Sequence, residues 1–397
     1  MKYMIMNQFG IDFTHNDADA IGCAIVLDLF ARHELSCIKF DDEKKYMCED
    51  IVSLQHHFNS IYASESMIST YVNYVKRIIE SDETLTDEEL TLFKLLSLGK
   101  DYNDYEVFAI PKYIIISDLP LSETNANALE ELREKYEIEV LYVDHHASNN
   151  MNQYYPWCHV QSEEDGIPKS AAYFLREILF NPIKESVTYH QFKSIWGFGY
   201  DDYIEDISRY DTWEWKNHPK EIATEYYTNA IISYKGVKDA YLLISDTVLN
   251  RKEISSLRDD PECNILINLF DEARERAIKN GLATTVYTTG DKLSYPQEYH
   301  DCNVALVVLP DVNYNDVMEA IYKQEDRKVD IVMGMFPKTK TISFRGNNPE
   351  IDLSKLAKEV YSGGGHKYAA GAKVNTTVFI NALTIYYNLL DELQDIK

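Results

Sequence analysis

The sequence predicts an α/β protein of two domains, on three observations. Its 397 residues exceed the usual size of one domain, so two cores are expected. The first 220 residues alternate short β-like runs with longer helical stretches, the pattern of βαβ units and a doubly wound parallel sheet. Beyond about residue 263 a shorter alternation begins, which reads as a smaller C-terminal α/β domain. The expected divisions are 1–220, with a helical insertion at about 41–107, a helical linker over 221–262, and 263–397, giving two lobes with a cleft between them.

In chain order, the strands expected in the first lobe are Tyr3–Phe9, Ser36–Phe40, Tyr113–Ser117 and Glu139–Val143. An amphipathic helix is expected over Ile21–Arg32. The polar insertion carries helical patterning in Ile51–Ile61, Ile68–Ile79 and Asp87–Leu98. Gly236–Thr247 reads as a connecting helix, and Asn264–Asn280 as the helix opening the second domain. There follow β-like runs at Thr284–Thr288, Val304–Leu309, Val329–Phe336 and Thr339–Arg345, with a helix near Asp316–Gln324.

Composition narrows the function classes. Hydrophobic residues make up 45% and charged residues 26%, near globular averages. Apolar runs such as Asn303–Pro310 fall far below the roughly 20 residues of a membrane span, and no cationic leader opens the chain, so a cytoplasmic protein without membrane contact is expected. Cys23, Cys37, Cys48, Cys158, Cys263 and Cys302 include no C-x-x-C pair and are expected to be reduced, mostly buried thiols. The net charge of -26 repels polyanions unless a local site reverses the field, which argues against long duplex binding. Such a reversal runs from Arg327 to Lys373, where nine Lys/Arg face four acids. A solvated basic face is the alternative.

Three clusters carry chemistry. His15, Asp17 and Asp19 form an H-x-D-x-D that follows the first strand and opens a helix. Imidazole with carboxylates suits manganese, iron or magnesium, although a turn and helix N-cap would use the same residue types. Asp118 ends the apolar run Ile114–Ser117, and Asp144-His145-His146 ends the run Leu141–Val143. All three clusters lie at the carboxyl ends of strands, where open α/β sheets bind ligands. His56-His57, Cys158-His159 and the aromatic run Tyr210, Trp213, Trp215 read as core or surface residues.

This set and order resemble motifs I to III of the DHH phosphoesterase superfamily. Downstream, Ile207–Trp213 is similar to the motif that supplies a fourth acid, and Gly363-Gly364-Gly365-His366-Lys367-Tyr368-Ala369-Ala370-Gly371 to the G-G-G-H-x-x-A-A-G signature of the DHH-associated C-terminal domain. The first motif is more compact than the H-x-x-x-D-x-D of many short-oligonucleotide members and closer to the RecJ-like branch. The resemblance implies two divalent metal ions, manganese first, with magnesium or cobalt as substitutes. His15, Asp17 and Asp118 would hold one, and Asp19, Asp118, His145 and Asp211 the other, with Asp118 bridging. Asp201, Asp202, Glu205 and Asp206 stay open as alternatives to Asp211. Asp144 would orient the metal-binding His145, and His146 would contact the scissile phosphate or the leaving oxygen. Gly363–Gly365 would form an anion nest, with His366 and Arg345 gripping phosphate, Arg345 through its fork.

The resemblance is strongest to the oligoribonuclease, or nanoRNase, branch. The function expected is a two-metal exoribonuclease and phosphodiesterase that hydrolyses very short RNA to nucleoside monophosphates through a metal-bridged hydroxide, with pAp or linear dinucleotides as further substrates. A pair of ions ~3.5–4 Å apart acidifies such a water and neutralises the transition state. Alternatives are a RecJ-like single-strand DNA exonuclease, a cyclic-dinucleotide phosphodiesterase and an exopolyphosphatase or pyrophosphatase. A non-catalytic binding protein is disfavoured because every expected ligand position is filled. Partners are then short RNA or small nucleotides, with a homodimer among the allowed assemblies.

Overall fold

The structure, a computed structural model, describes residues 10–15, 17–42, 58–62, 66–79, 113–146, 149–185, 190, 199–212, 223–249, 254–309, 314–324, 326–346, 348–365 and 367–394. The chain divides into two compact units, one of residues up to His145 with Asn149–Cys263, the other of Asn264–Lys397 with His146–Ser148.

The first unit is built on five parallel strands, β1 (Gly10–Thr14), β2 (Phe58–Tyr62), β3 (Tyr113–Ser117), β4 (Glu139–Asp144) and β5 (Cys158–Val160), in the order β2-β1-β3-β4-β5. Strands buried on both faces read as apolar runs, as Ile114, Ile115 and Ile116 of β3 show. Ile115 and Val143 enter a core with α1 (Ala18–Asp42), α4 (Ala171–Phe180), α5 (Gly199–Asp211), α6 (Ala223–Lys235) and α7 (Val237–Leu249). Phe13, Ile114, Ile116 and Tyr142 enter the other, with α2 (Ser66–Ile79) and α3 (Glu123–Tyr136). Helices therefore cover both faces, as the alternation requires. The order places the topological switch between β1 and β3, where binding crevices of such sheets open.

Several expected elements move. The strand expected at Tyr3–Phe9 lies outside the described residues, and the first described strand is Gly10–Thr14, whose bounds are set by its register with Tyr113–Ser117. Ser36–Phe40 is the end of α1: no glycine or proline interrupts the chain after Gly22, so the helix continues through a stretch of local strand propensity. The end of the stretch Ile51–Ile61 expected to be helical falls in β2, because the edge of β1 offers it a backbone ladder. Asp87–Leu98 and His56-His57 lie outside the described residues, as do Trp213 and Trp215. Helices α6 and α7 occupy most of the expected linker, and Ile231, Ala240 and Ile244 are buried in the α1 core, so this stretch packs as part of the first unit.

The second unit holds a six-stranded mixed sheet of β8 (Val286–Thr289), β9 (Asn303–Val308), β10 (Ile331–Phe336), β11 (Thr341–Arg345), β12 (Gly364–Gly365) and β13 (Ala369–Lys373), in the order β12-β13-β11-β10-β9-β8. Among the described residues two further strands, β6 (Glu163–Glu164) and β7 (Ile167–Pro168), form a small hairpin in the first unit. Helices α8 (Pro261–Thr284) and α9 (Tyr314–Tyr322) pack on one face of the six-stranded sheet, and α10 (Leu353–Tyr361) and α11 (Thr376–Gln394) on the other. Among the described residues no helix is long and apolar enough to cross a membrane. Cys23, Cys158 and Cys263 are buried free thiols, and Cys302 is half-buried.

Candidate metal centre and active site

At the end of β1 the chain turns through His15 and Asp17 into α1. Asp17 answers both readings of its sequence: Oδ1 accepts the Ala20 N–H at 3.1 Å, which caps the helix, while Oδ2 lies 2.6 Å from His15 Nδ1. Asp19 sits two residues further on, in the first turn of α1, buried, and accepts the Ala171 N–H at 3.0 Å and the Ala172 N–H at 3.3 Å. Its carboxylate thus occupies the positive end of α4.

Asp118 follows β3 with φ 49°, in the left-handed region, and its N–H bonds to Val143 O at 3.0 Å. This ties the ends of β3 and β4 together and brings Asp118 to His145, whose Nε2 lies 3.1 Å from Asp118 Oδ1 and 3.3 Å from Asp211 Oδ2. Asp211 is the last residue of α5. That helix is anchored to α4 where the Ser170 N–H donates to Ser208 Oγ at 3.0 Å. Of the other candidate acids on α5, Glu205 pairs with Lys169 and Arg176, Asp201 with Arg176, and Asp206 with Arg209, while Asp202 is exposed.

His15, Asp17 and Asp118 bring their ligand atoms within 4.8 Å of one another, and so do Asp19, His145 and Asp211. Donor set and geometry fit hard divalent cations. Cis ligands around an octahedral ion with bonds of about 2.1–2.2 Å lie about 3 Å apart, close to the separations of His145 from its two carboxylates. The electrostatics agree. Burial, then the Asp118 and Asp211 carboxylates, push the Asp19 pKa well above its ordinary value. At His145 burial opposes charge, but Asp211, Asp118 and Asp19 outweigh it and raise the imidazole pKa. The Asp17 hydrogen bond, against burial, raises His15 to about 9. Carboxylates gathered this densely call for cationic partners.

Asp144 is buried. Its Oδ1 accepts the backbone N–H of His145 at 2.8 Å, and its Oδ2 accepts the Tyr142 hydroxyl at 3.1 Å and Asn149 Nδ2 at 2.6 Å. The orientation expected of Asp144 is thus exerted on the backbone that carries His145. His146 is half-buried. Sequence reasoning missed the amides of Ala171 and Ala172, although Ser170 before two alanines is an N-cap signal that could have found them. It also missed Asn149, whose side chain holds the loop after the Asp144-His145-His146 tripeptide.

In the second unit Arg345 is buried, its Nη1 donating to Ser343 Oγ and Phe344 O, both at 2.8 Å, and its Nη2 to Asn315 Oδ1 at 3.0 Å. The triple glycine is not an open nest. The Gly363 N–H bonds to Ala357 O at 2.9 Å, and Gly364 and Gly365 pair as β12 with Gly371 and Ala370. A Cβ at Gly363 would lie 2.1 Å from Gly371 O, so close strand approach requires the glycine there, and Gly365 has φ +131°. His366 lies outside the described residues. The basic stretch does not form one cationic face: Arg327 stacks on Tyr287, Lys328 pairs with Asp330 and Lys355 with Glu298.

Motif order, placement at the switch point and the converging His and Asp ligands are those of a phosphoester hydrolase, and the chain is similar to proteins of the DHH/DHHA superfamily. It is 22% identical over 375 residues to Oligoribonuclease NrnB of Bacillus subtilis (strain 168), covering 92% of this chain and 73% of that protein. No family profile matches the sequence. Among solved structures, the DHH domain of a member of the s1p family of ribosomal proteins aligns with a TM-score of 0.53 at 12% identity, covering 96% of this chain and 85% of that one. RecJ from Thermus thermophilus in complex with Mn2+ aligns with a TM-score of 0.48 at 12% identity, covering 96% and 52%.

Proposed function

We propose that the protein is an exoribonuclease for very short RNA, acting with two divalent cations, manganese the first choice. The observation that carries the metal chemistry is His145 Nε2 held between Asp118 and Asp211, with His15 and Asp17 completing a second group around Asp118. His15, Asp17 and Asp118 are assigned to one cation, and Asp19, Asp118, His145 and Asp211 to the other. When bound, such a pair supplies an acidified water and neutralises charge on the phosphoryl oxygens.

The remaining roles belong to side chains. Asp144 holds the His145 backbone, Asp19 is fixed by the α4 amides, and His146 is assigned to the scissile phosphate or the leaving oxygen. Arg345 is proposed to meet substrate phosphate in the second unit; the acceptors on Ser343, Phe344 and Asn315 already set its fork, and phosphate binding would compete with or extend those contacts. His366 with Gly363, Gly364 and Gly365 is proposed to contribute beside it, by side-chain or close backbone approach.

The substrate class rests on charge and on similarity. Each phosphate contacted adds salt-dependent affinity, and a chain of net charge -26 offers few such contacts, which favours short substrates. The relative in Bacillus subtilis is named an oligoribonuclease. The test is to offer the purified chain with Mn2+ a labelled dinucleotide, a pentanucleotide and a strand longer than about twenty residues, as RNA and as DNA, beside pAp, cyclic di-AMP and pyrophosphate. Fastest release of mononucleotides from the two short RNAs is expected. Fast cleavage of pyrophosphate alone, or a preference for long single-stranded DNA, would refute the proposal.

A further inference from the structure

Beneath the metal centre lies a buried polar cluster that neither the motifs nor the mechanism uses. Phe13 of β1 enters the α2–α3 core, so by the alternation of a strand Asp12 and Thr14 face the α1 side. Asp12, fully buried, accepts the Ser117 hydroxyl at 2.9 Å. Ser117 is itself fully buried and directly precedes Asp118.

A carboxylate in the middle of a core strand is costly unless its hydrogen bonds are met, and an aliphatic residue would pack there without that penalty. What the cluster gains is registration. Asp12 belongs to the strand that leads to His15, and Ser117 to the strand that leads to Asp118. One hydroxyl therefore links the two strands that deliver ligands on either side of the switch point. The backbone ladder sets the register of β1 on β3, and this side-chain bond ties the two strands together beneath their ligand-bearing ends.

We infer that Asp12 and Ser117 are positioning residues for the metal centre, holding the ends of β1 and β3 in the arrangement that lets Asp118 serve both donor groups. The inference rests on the two-cation reading of that centre. Partners behind ligands commonly change metal affinity by about 10–100-fold when removed.

The experiment is titration of the full-length protein with Mn2+ alone, by calorimetry, alongside thermal unfolding without metal. Ser117→Ala and Asp12→Ala are expected to weaken Mn2+ binding about tenfold. Asp12→Asn, whose amide oxygen still accepts from Ser117, is expected to restore affinity to within about threefold of wild type. Folded Ser117→Ala and Asp12→Ala with wild-type Mn2+ affinity, whatever their melting temperature, would overturn the inference. So would Asp12→Asn as weak as Asp12→Ala, since charge and not the hold on Ser117 would then matter. Ser117→Ala deletes one oxygen and carries the test if Asp12→Ala fails to fold. Absence of Mn2+ binding by the wild type would sink the two-cation reading and this inference with it, whereas unchanged variants beside a binding wild type sink this inference alone.

Discussion

The Asp19 carboxylate on the first turn of α1 accepts the backbone N–H of Ala171, the first residue of α4, at 3.0 Å. One residue therefore caps a neighbouring helix electrostatically and also belongs to a ligand group. Asp19→Ala is expected to cost about 1.5–3 kcal/mol, the range for hydrogen bonds to a charged group, and to abolish binding at the His145 side of the centre. Asp19→Asn, which keeps an oxygen for the amide, should lose less stability and equally much metal binding. Urea unfolding with and without Mn2+ separates the two effects, and equal stability losses in both variants would contradict the helix role.

Asp118 occupies the left-handed region at φ 49°, which asparagine tolerates better than other side chains. Asp118→Asn should therefore fold normally while losing more activity than the about 10–100-fold typical of an outer partner. Asp118→Ala adds backbone strain of about 1–2 kcal/mol to the same catalytic loss. Normal turnover by a folded Asp118→Asn protein would remove Asp118 from the centre.

Gly22 lets α1 approach its neighbours: a Cβ there would meet Ala172 Cβ at 2.9 Å and Ile204 Cδ1 at 3.2 Å. Gly22→Ala should push α4 and α5 outward, destabilising the fold by about 1–3 kcal/mol. Because α4 holds Asp19 and α5 ends at Asp211, Mn2+ affinity should fall as well, although Gly22 touches no ligand. Retained affinity would show that the helices adjust without moving the site.

Metal binding should release protons. His15 is raised to about 9 by the Asp17 hydrogen bond against burial, so its imidazole holds a proton near neutral pH in the metal-free protein, and the His145 carboxylates raise that imidazole too, against burial. A cation must displace the proton, so affinity should climb with pH up to about 9, with proton release on binding. Without metal the sign reverses for stability: the His15–Asp17 pair contributes fully below the ordinary His15 value of 6.5, and its contribution is lost as pH rises through about 9. Calorimetry in buffers of different ionisation enthalpy measures the release, and a count of zero would contradict protonated ligands.

Arg345 sits in a cage of Ser343, Phe344 and Asn315. Arg345→Lys should not restore what Arg345→Ala loses, because an ammonium cannot reproduce the planar fork. Both variants should raise KM for short RNA far more than they alter Mn2+ binding, and an unchanged KM would end the proposed phosphate role.

Much of the first unit was legible because hydrophobic runs report burial directly. Ile114–Ile116 and Leu141–Val143 read as buried strands, each leading to an acid, and so located Asp118 and Asp144 without reference to any partner. Local pattern misled where pairing or continuity decided the outcome. Ser36–Phe40 looks like a strand and is the end of α1; Ile51–Ile61 looks helical and its end falls in β2. The triple glycine is recognisable as a signature, but its physical reason is close approach to Gly371 across a sheet, which no spacing reveals.

What the sequence by itself determined is the set of ligand types and their attachment to strand ends, since these depend on residues adjacent in the chain. What only the tertiary structure decided is which ends meet. Strand order puts β1 beside β3 at the switch point, the Ser170–Ser208 bond brings the end of α5 to His145, and ion pairs with Arg176, Lys169 and Arg209 occupy acids that competed with Asp211. Most of these contacts join residues far apart in the chain, and their selection rests on packing and charge in three dimensions.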